Sequence, residues 1–67
     1  MGLQKGDRVA WNTPQGETTG VIVERRTEDF QLSGQQFRAS DDEPAFIVES
    51  DKTGARAAHK AGALTQR

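Results

Sequence analysis

The sequence predicts an all-β fold, a small five-stranded SH3-like barrel, on three observations. Short β-rich runs recur at close spacing, glycine and proline punctuate them, and no long amphipathic helix intervenes. Closing such strands into a barrel removes the open edges that would otherwise recruit other chains.

The first strand starts in Lys5-Gly6-Asp7-Arg8-Val9-Ala10-Trp11. Gly6-Asp7 supplies a turn, and Val9 and Trp11, two apart, share the inward face while Arg8 and Ala10 look the other way. Asn12-Thr13-Pro14-Gln15-Gly16 ends it, because Pro14 has no amide donor and a fixed φ. Glu17 to Arg26 is the longest β-branched run, with Gly20 marking a bend or bulge. Within it Val21 and Val23 are expected to line the core and Ile22 to face outward or lie under a neighbouring loop. Arg25 and Arg26, being adjacent, project to opposite sides.

Thr27 to Ala39 reads as a hairpin, since Ser33-Gly34 separates Phe30/Leu32 from Phe37/Ala39. Ser40-Asp41-Asp42-Glu43 has the form of a helix capping box, but Pro44 leaves room for no more than one turn, so a solvated corner is expected. In Pro44 to Ser50, Phe46 and Val48 are assigned to the interior and Ala45, Ile47 and Glu49 to the other side.

Asp51-Lys52-Thr53-Gly54 has hairpin-loop chemistry, an acidic residue opening the turn and a glycine able to take positive φ closing it. Alanines in Arg56-Ala57-Ala58-His59-Lys60 favour helix, but so short a helix is marginal in water, whereas a returning strand is held by the ladder beside it. The segment through His59 is therefore expected as the last strand of the barrel. Ala61-Gly62-Ala63 forms a tight turn that drops Leu64 onto the core, and Thr65-Gln66-Arg67 is expected to fray.

With 67 residues, 33% of them apolar, there is material for one compact core and none for a second layer or a deep enzyme-type pocket. The expectation is one domain over residues 1–67, with an ordered core at about residues 5–64. Cysteine is absent, which removes disulfides and thiolate metal sites and fits a reducing compartment. No signal-peptide run and no membrane-length apolar run is visible, so the chain reads as cytoplasmic. A net charge of −1 gives no global pull toward nucleic acid or anionic lipid.

Several stretches together resemble a known family. Lys5-Gly6-Asp7-Arg8-Val9-Ala10-Trp11, Gly20-Val21-Ile22-Val23, Arg38-Ala39-Ser40 with Glu43-Pro44, and above all Ser50-Asp51-Lys52-Thr53-Gly54 through Ala57-Ala58-His59-Lys60 and Ala63-Leu64 look like the hypervirulence-associated TUDOR domain family. The resemblance spans nearly the whole chain. It implies a Tudor-like fold and a small bacterial or fungal protein. Ala61-Gly62 stands where relatives often carry proline and an acidic residue, and Phe46 where many carry tyrosine.

Related domains that read methylated lysine or arginine use a cage of aromatic rings. Here Trp11, Phe30, Phe37 and Phe46 are the only rings of that kind, and a core this small needs Trp11 and Phe46 for packing, which outweighs a cage. His59, the single histidine, has no evident partners for a metal site or a triad. Asp41-Asp42-Glu43 lacks the ordered spacing of a calcium loop. No catalytic residue, metal ligand or cofactor is therefore assigned. The candidate binding residues are Lys52, Arg56, His59 and Lys60 on the last hairpin, with Arg38 alongside and Trp11 or Phe37 as a stacking surface. Arg56 and Lys60 sit an even number apart and share a strand face, although Glu49 and Asp51 nearby would also make an ordinary ion-paired surface. The chain reads as a non-enzymatic interaction module, first for a protein or peptide at a strand edge or shallow groove and alternatively for RNA or single-stranded DNA at the basic hairpin.

Overall fold

A computed structural model describes residues 2–67. Seven strands run in chain order: β1 Arg8–Thr13, β2 Gly16–Arg26, β3 Phe30–Leu32, β4 Gln35–Phe37, β5 Ala45–Ser50, β6 Arg56–Lys60 and β7 Thr65–Gln66. Five form one antiparallel sheet in the order β6-β5-β2-β1-β7, and β3 and β4 form a separate hairpin. The fold is all-β, as the strand spacing predicts.

The long β2 makes the sheet curl. Its first half pairs with β1, from Thr13↔Gly16 to Arg8↔Val21, and its second half pairs with β5, from Gly20↔Ser50 to Arg26↔Ala45. Between Ile22 and Glu24 the register slips by one residue, a bulge that sharpens the local twist and bends the strand. The curl brings Val9 and Trp11 from β1 against Ile22, Phe46, Val48 and Leu64, the main core, with Leu3 and Ala57 packed at its margin.

The expected facing of β2 is reversed. Ile22 is 1% exposed and central to the core, whereas Val21 and Val23 are only half-buried. The register explains this: Gly20 lies opposite Val9 and Ile22 opposite Val48, so the even positions share the inner face. Gly20 is required there because a Cβ would lie 2.0 Å from the Glu49 carbonyl oxygen and 2.7 Å from Trp11 Cη2. The glycine thus holds a core-facing position with no side chain to mark it. Ala10, expected on the outer face, is also buried, flanked by Thr19 on β2 and Thr65 on β7.

Strand β5 also differs from its expected facing. Phe46 and Val48 point into the main core as expected, but Ala45 and Ile47 on the opposite face are buried too. The β3–β4 hairpin folds over that face, packing Phe30 on Ala45 and Ile47 with Val23, Leu32, Phe37 and Ala58 around them. Its two-residue turn has both Ser33 (φ 52) and Gly34 (φ 79) at positive φ, the conformation that matches the twist of the flanking strands. Ile22 and Ile47 are both buried and serve different cores.

Ser40-Asp41-Asp42-Glu43 is a corner without helix, closed by the Glu43 N–H donating to Ser40 Oγ at 3.1 Å. The segment after Gly54 is strand β6, not helix, and Ala61–Ala63 is a single 3-10 turn that delivers Leu64 to the core. Two expectations at this end are corrected. The His59 strand is one edge of the sheet, bonded to β5 alone, and is not the last strand. Thr65-Gln66 does not fray but pairs with Val9 and Ala10 as β7, with the Arg67 N–H donating to the Arg8 carbonyl at 2.9 Å and Arg67 bridging to Glu17 at 2.8 Å. The ladder bonds offered by the unsatisfied side of β1 outweigh the polarity of these three residues.

Candidate functional site

The turn between β5 and β6 is held from several sides. The Gly54 N–H donates to the Ser50 carbonyl at 2.9 Å, with Gly54 at φ +73 as a non-glycine residue rarely would be, and the Ser50 N–H donates to the Ala55 carbonyl at 2.9 Å. Side-chain oxygens of Ser50 and Thr53 accept the amides of Lys52 and Ala55 at 3.2 and 3.1 Å. Asp51 then ties the turn to the rest of the sheet: its N–H donates to the Thr19 carbonyl at 3.0 Å, and its carboxylate accepts both Nη groups of Arg8 and, at 3.2 Å, the Thr19 hydroxyl. The Arg8 hydrogen bond, helped by that of Thr19 and the Arg8 charge, holds the Asp51 carboxyl below its usual range. The same contact raises Arg8 above its ordinary value.

On the other face of the sheet, between this turn and the β1–β2 turn, opens a cleft of about 450 Å³. Trp11 lines it together with Pro14 and Thr18 on one side and Lys52, Thr53 and Ala57 on the other. Trp11 is only 6% exposed, so little of its ring is open to the cleft. Behind it stands His59, ring centroids 5.7 Å apart and planes tilted by 39°. Burial pushes the His59 pKa down, and its buried Nε2 has no hydrogen-bond partner.

The six candidate residues divide into two groups. Trp11, Lys52 and Arg56 line the cleft, while Arg38, His59 and Lys60 line a shallower depression of about 210 Å³ between β4 and β6. Arg56 and Lys60 do share the outer face of β6, about 13 Å apart along the strand. Each already has a partner, since Arg56 Nε donates to Glu49 Oε1 at 3.2 Å and Lys60 Nζ to the Glu43 carbonyl at 3.0 Å. Among the described residues Lys52 takes part in no ion pair.

The rings do not converge on a cage. Trp11 and Phe46 belong to the main core, while Phe30 and Phe37 stack on each other at 5.4 Å in the second. The Arg26 guanidinium already lies 5.1 Å from the centre of the Phe30 ring. Among the described residues no group of three or more His, Asp or Glu side chains could hold a metal ion, and no helix is long and apolar enough to cross a membrane. Sequence reasoning missed the Arg8–Asp51 clasp and the part of Pro14, Thr18 and Thr53 in the cleft wall. The partners lie far apart in the chain, and no local pattern announces them.

A curled antiparallel sheet with a hairpin stacked on β5 and an open cleft between two braced turns defines a small all-β interaction module. The family model for the hypervirulence associated proteins TUDOR domain matches residues 6–64, and the chain belongs to that family. The search of curated proteins found no match, and neither did that of solved structures.

Proposed function

We propose that the domain binds a peptide segment of a partner protein in the Trp11 cleft and performs no chemistry of its own. The observation that carries this reading is the cleft itself: an apolar floor at Trp11 and Ala57, walls made of two turns, and the cation of Lys52 at the rim. Its volume suits one or two side chains of a ligand. Lys52 favours an acidic group beside the buried side chain. His59, the residue best suited to proton transfer, faces the core behind Trp11 and meets no hydroxyl or carboxylate, which supports a module without catalysis.

The nucleic-acid alternative draws little from the geometry. The basic residues sit in two places, Arg56 and Lys60 are engaged, and Trp11 leaves little of its ring open for a base to stack on.

Amide shift mapping tests the reading with two probes, a set of short peptides that place one aliphatic or aromatic side chain next to glutamate, and an oligothymidine at low salt. Peptides should shift the Trp11 indole N–H and the amides of Gln15, Thr18 and Thr53. Silence at those positions at millimolar peptide, or salt-sensitive shifts with the oligothymidine alone, would refute it.

A further inference from the structure

The sheet ends at β6, bonded to β5 on one side only. The Ser50 N–H bond to the Ala55 carbonyl sets the phase of the ladder, and pairs alternate from there along an antiparallel couple. Ala57 and His59 therefore direct their backbone groups at β5, while those of Arg56, Ala58 and Lys60 point away from the sheet. Among the described residues, none of these three joins a backbone hydrogen bond beyond the strand ladder. This is an open edge of five residues, and its charges are placed in a particular way.

Arg56 and Lys60 flank Ala58 symmetrically on the outer face. If a second copy of the chain added its own β6 antiparallel in the register that overlaps the whole strand, Ala58 would meet Ala58 and each Arg56 would lie opposite a Lys60. Like charges directly opposite destabilise a strand pair, so the edge repels its own copy. A strand with carboxylates at those two positions meets the opposite situation. Arg56 uses only its Nε on Glu49, leaving both Nη groups to a ligand, and Lys60 gives one hydrogen bond to the Glu43 carbonyl out of its three donors. Arg38 stands across the depression from Lys60, with Phe37 and Ala58 lining the ground between. Of the nearby acidic residues, Glu49 engages Arg56 through its carboxylate, whereas Glu43 meets Lys60 only through its backbone carbonyl.

We propose that the free edge of β6 accepts an extended acidic segment of a partner protein, which adds as a further strand and sets carboxylates opposite Arg56 and Lys60. This surface shares Arg56 with the Trp11 cleft and otherwise lies apart from it. Backbone bonds to Arg56, Ala58 and Lys60 hold the strand, and the two cations select its charge and exclude a second copy.

The test uses a capped, threonine-rich peptide of about seven residues with two glutamates spaced as Arg56 and Lys60 are, and its counterpart with lysines in their place. Titrated into the labelled protein, the glutamate peptide should shift the amides of Arg56, Ala58 and Lys60 and slow exchange of the Ala58 amide. The lysine peptide should bind at least about tenfold more weakly. Lys60→Glu, a surface change that leaves the ladder intact, should narrow or reverse that preference. A synthetic chain with N-methylated Ala58 should lose the glutamate peptide while keeping its fold, because that amide serves no bond within the sheet. Equal binding of the two peptides overturns the proposal, as does an unchanged preference in Lys60→Glu. So does concentration-dependent shifting of Arg56, Ala58 and Lys60 without any peptide, which would make the occupant a second copy. Shifts confined to Gln15, Thr18 and Thr53 would also overturn it while leaving the reading of the Trp11 cleft in place.

Discussion

Arg8 and Asp51 lie 43 positions apart in the chain, yet two hydrogen bonds join the guanidinium of the first to the carboxylate of the second. The pair fastens the β5–β6 turn to the start of β1, with Thr19 as the third member. Both sides of the cleft therefore hang from one sheet, and the turn that carries Lys52 is positioned by a contact on the opposite face.

That clasp has an acid signature. Because the folded Asp51 pKa is depressed, its contribution to stability is present above the unfolded carboxylate value and is lost as pH falls through the folded one. Asp51→Asn should remove this part of the acid limb in denaturation curves taken between neutral pH and about pH 2. It should also speed amide exchange across Lys52 to Gly54. An acid limb identical to that of the unsubstituted chain would show that Arg8 and Asp51 are uncoupled in solution.

His59 gives a second pH dependence, at milder acidity. Its folded pKa lies below the unfolded value, so in the interval between the two the unfolded chain binds more protons and stability climbs with pH. The full stability is present above about pH 6.5 and declines as pH drops toward the folded value. His59→Leu should flatten the urea midpoint between pH 8 and pH 5. If the slope survives that substitution, another group is responsible.

The facing of β2 can be checked by two truncations. Ile22→Ala removes a side chain that is 1% exposed and should cost about 3 kcal/mol in chemical denaturation. Val21→Ala, on the outer face, should cost less than about 1 kcal/mol. The reverse order would restore the facing expected from hydrophobicity alone.

Gly20→Ala should be among the most damaging single changes available. A methyl group there would meet the Glu49 carbonyl oxygen and Trp11 Cη2, and the first of these is backbone that cannot swing aside. A loss of about 3 kcal/mol or more is expected, or failure to fold, read by thermal melting and by the Trp11 indole resonance.

Much of the fold was legible where local chemistry decides it. Ser33-Gly34 and Asp51 to Gly54 have the residues their turns require, and the segment at Arg56 to Lys60 is strand in spite of its alanines because β5 offers a ladder. Long-range packing hid the rest. In Val21-Ile22-Val23 every residue suits either face, and the neighbour that decides, Gly20, has no side chain. Ile47 and Ala45 looked exposed because nothing local says that Phe30 and Phe37 fold over them. For the candidate site, strand parity correctly put Arg56 and Lys60 on one face. Parity carries no information about which turn approaches Trp11, so the separation of Lys52 from Arg38 had to come from three-dimensional structure.

Strand β5 belongs to both hydrophobic clusters, one through Phe46 and Val48 and the other through Ala45 and Ile47. Neither cluster can come apart without exposing the back of the strand that serves the other. The hairpin over one face and the curled sheet on the other should thus melt in a single cooperative step, with the amides of Phe46 to Val48 exchanging only through global opening.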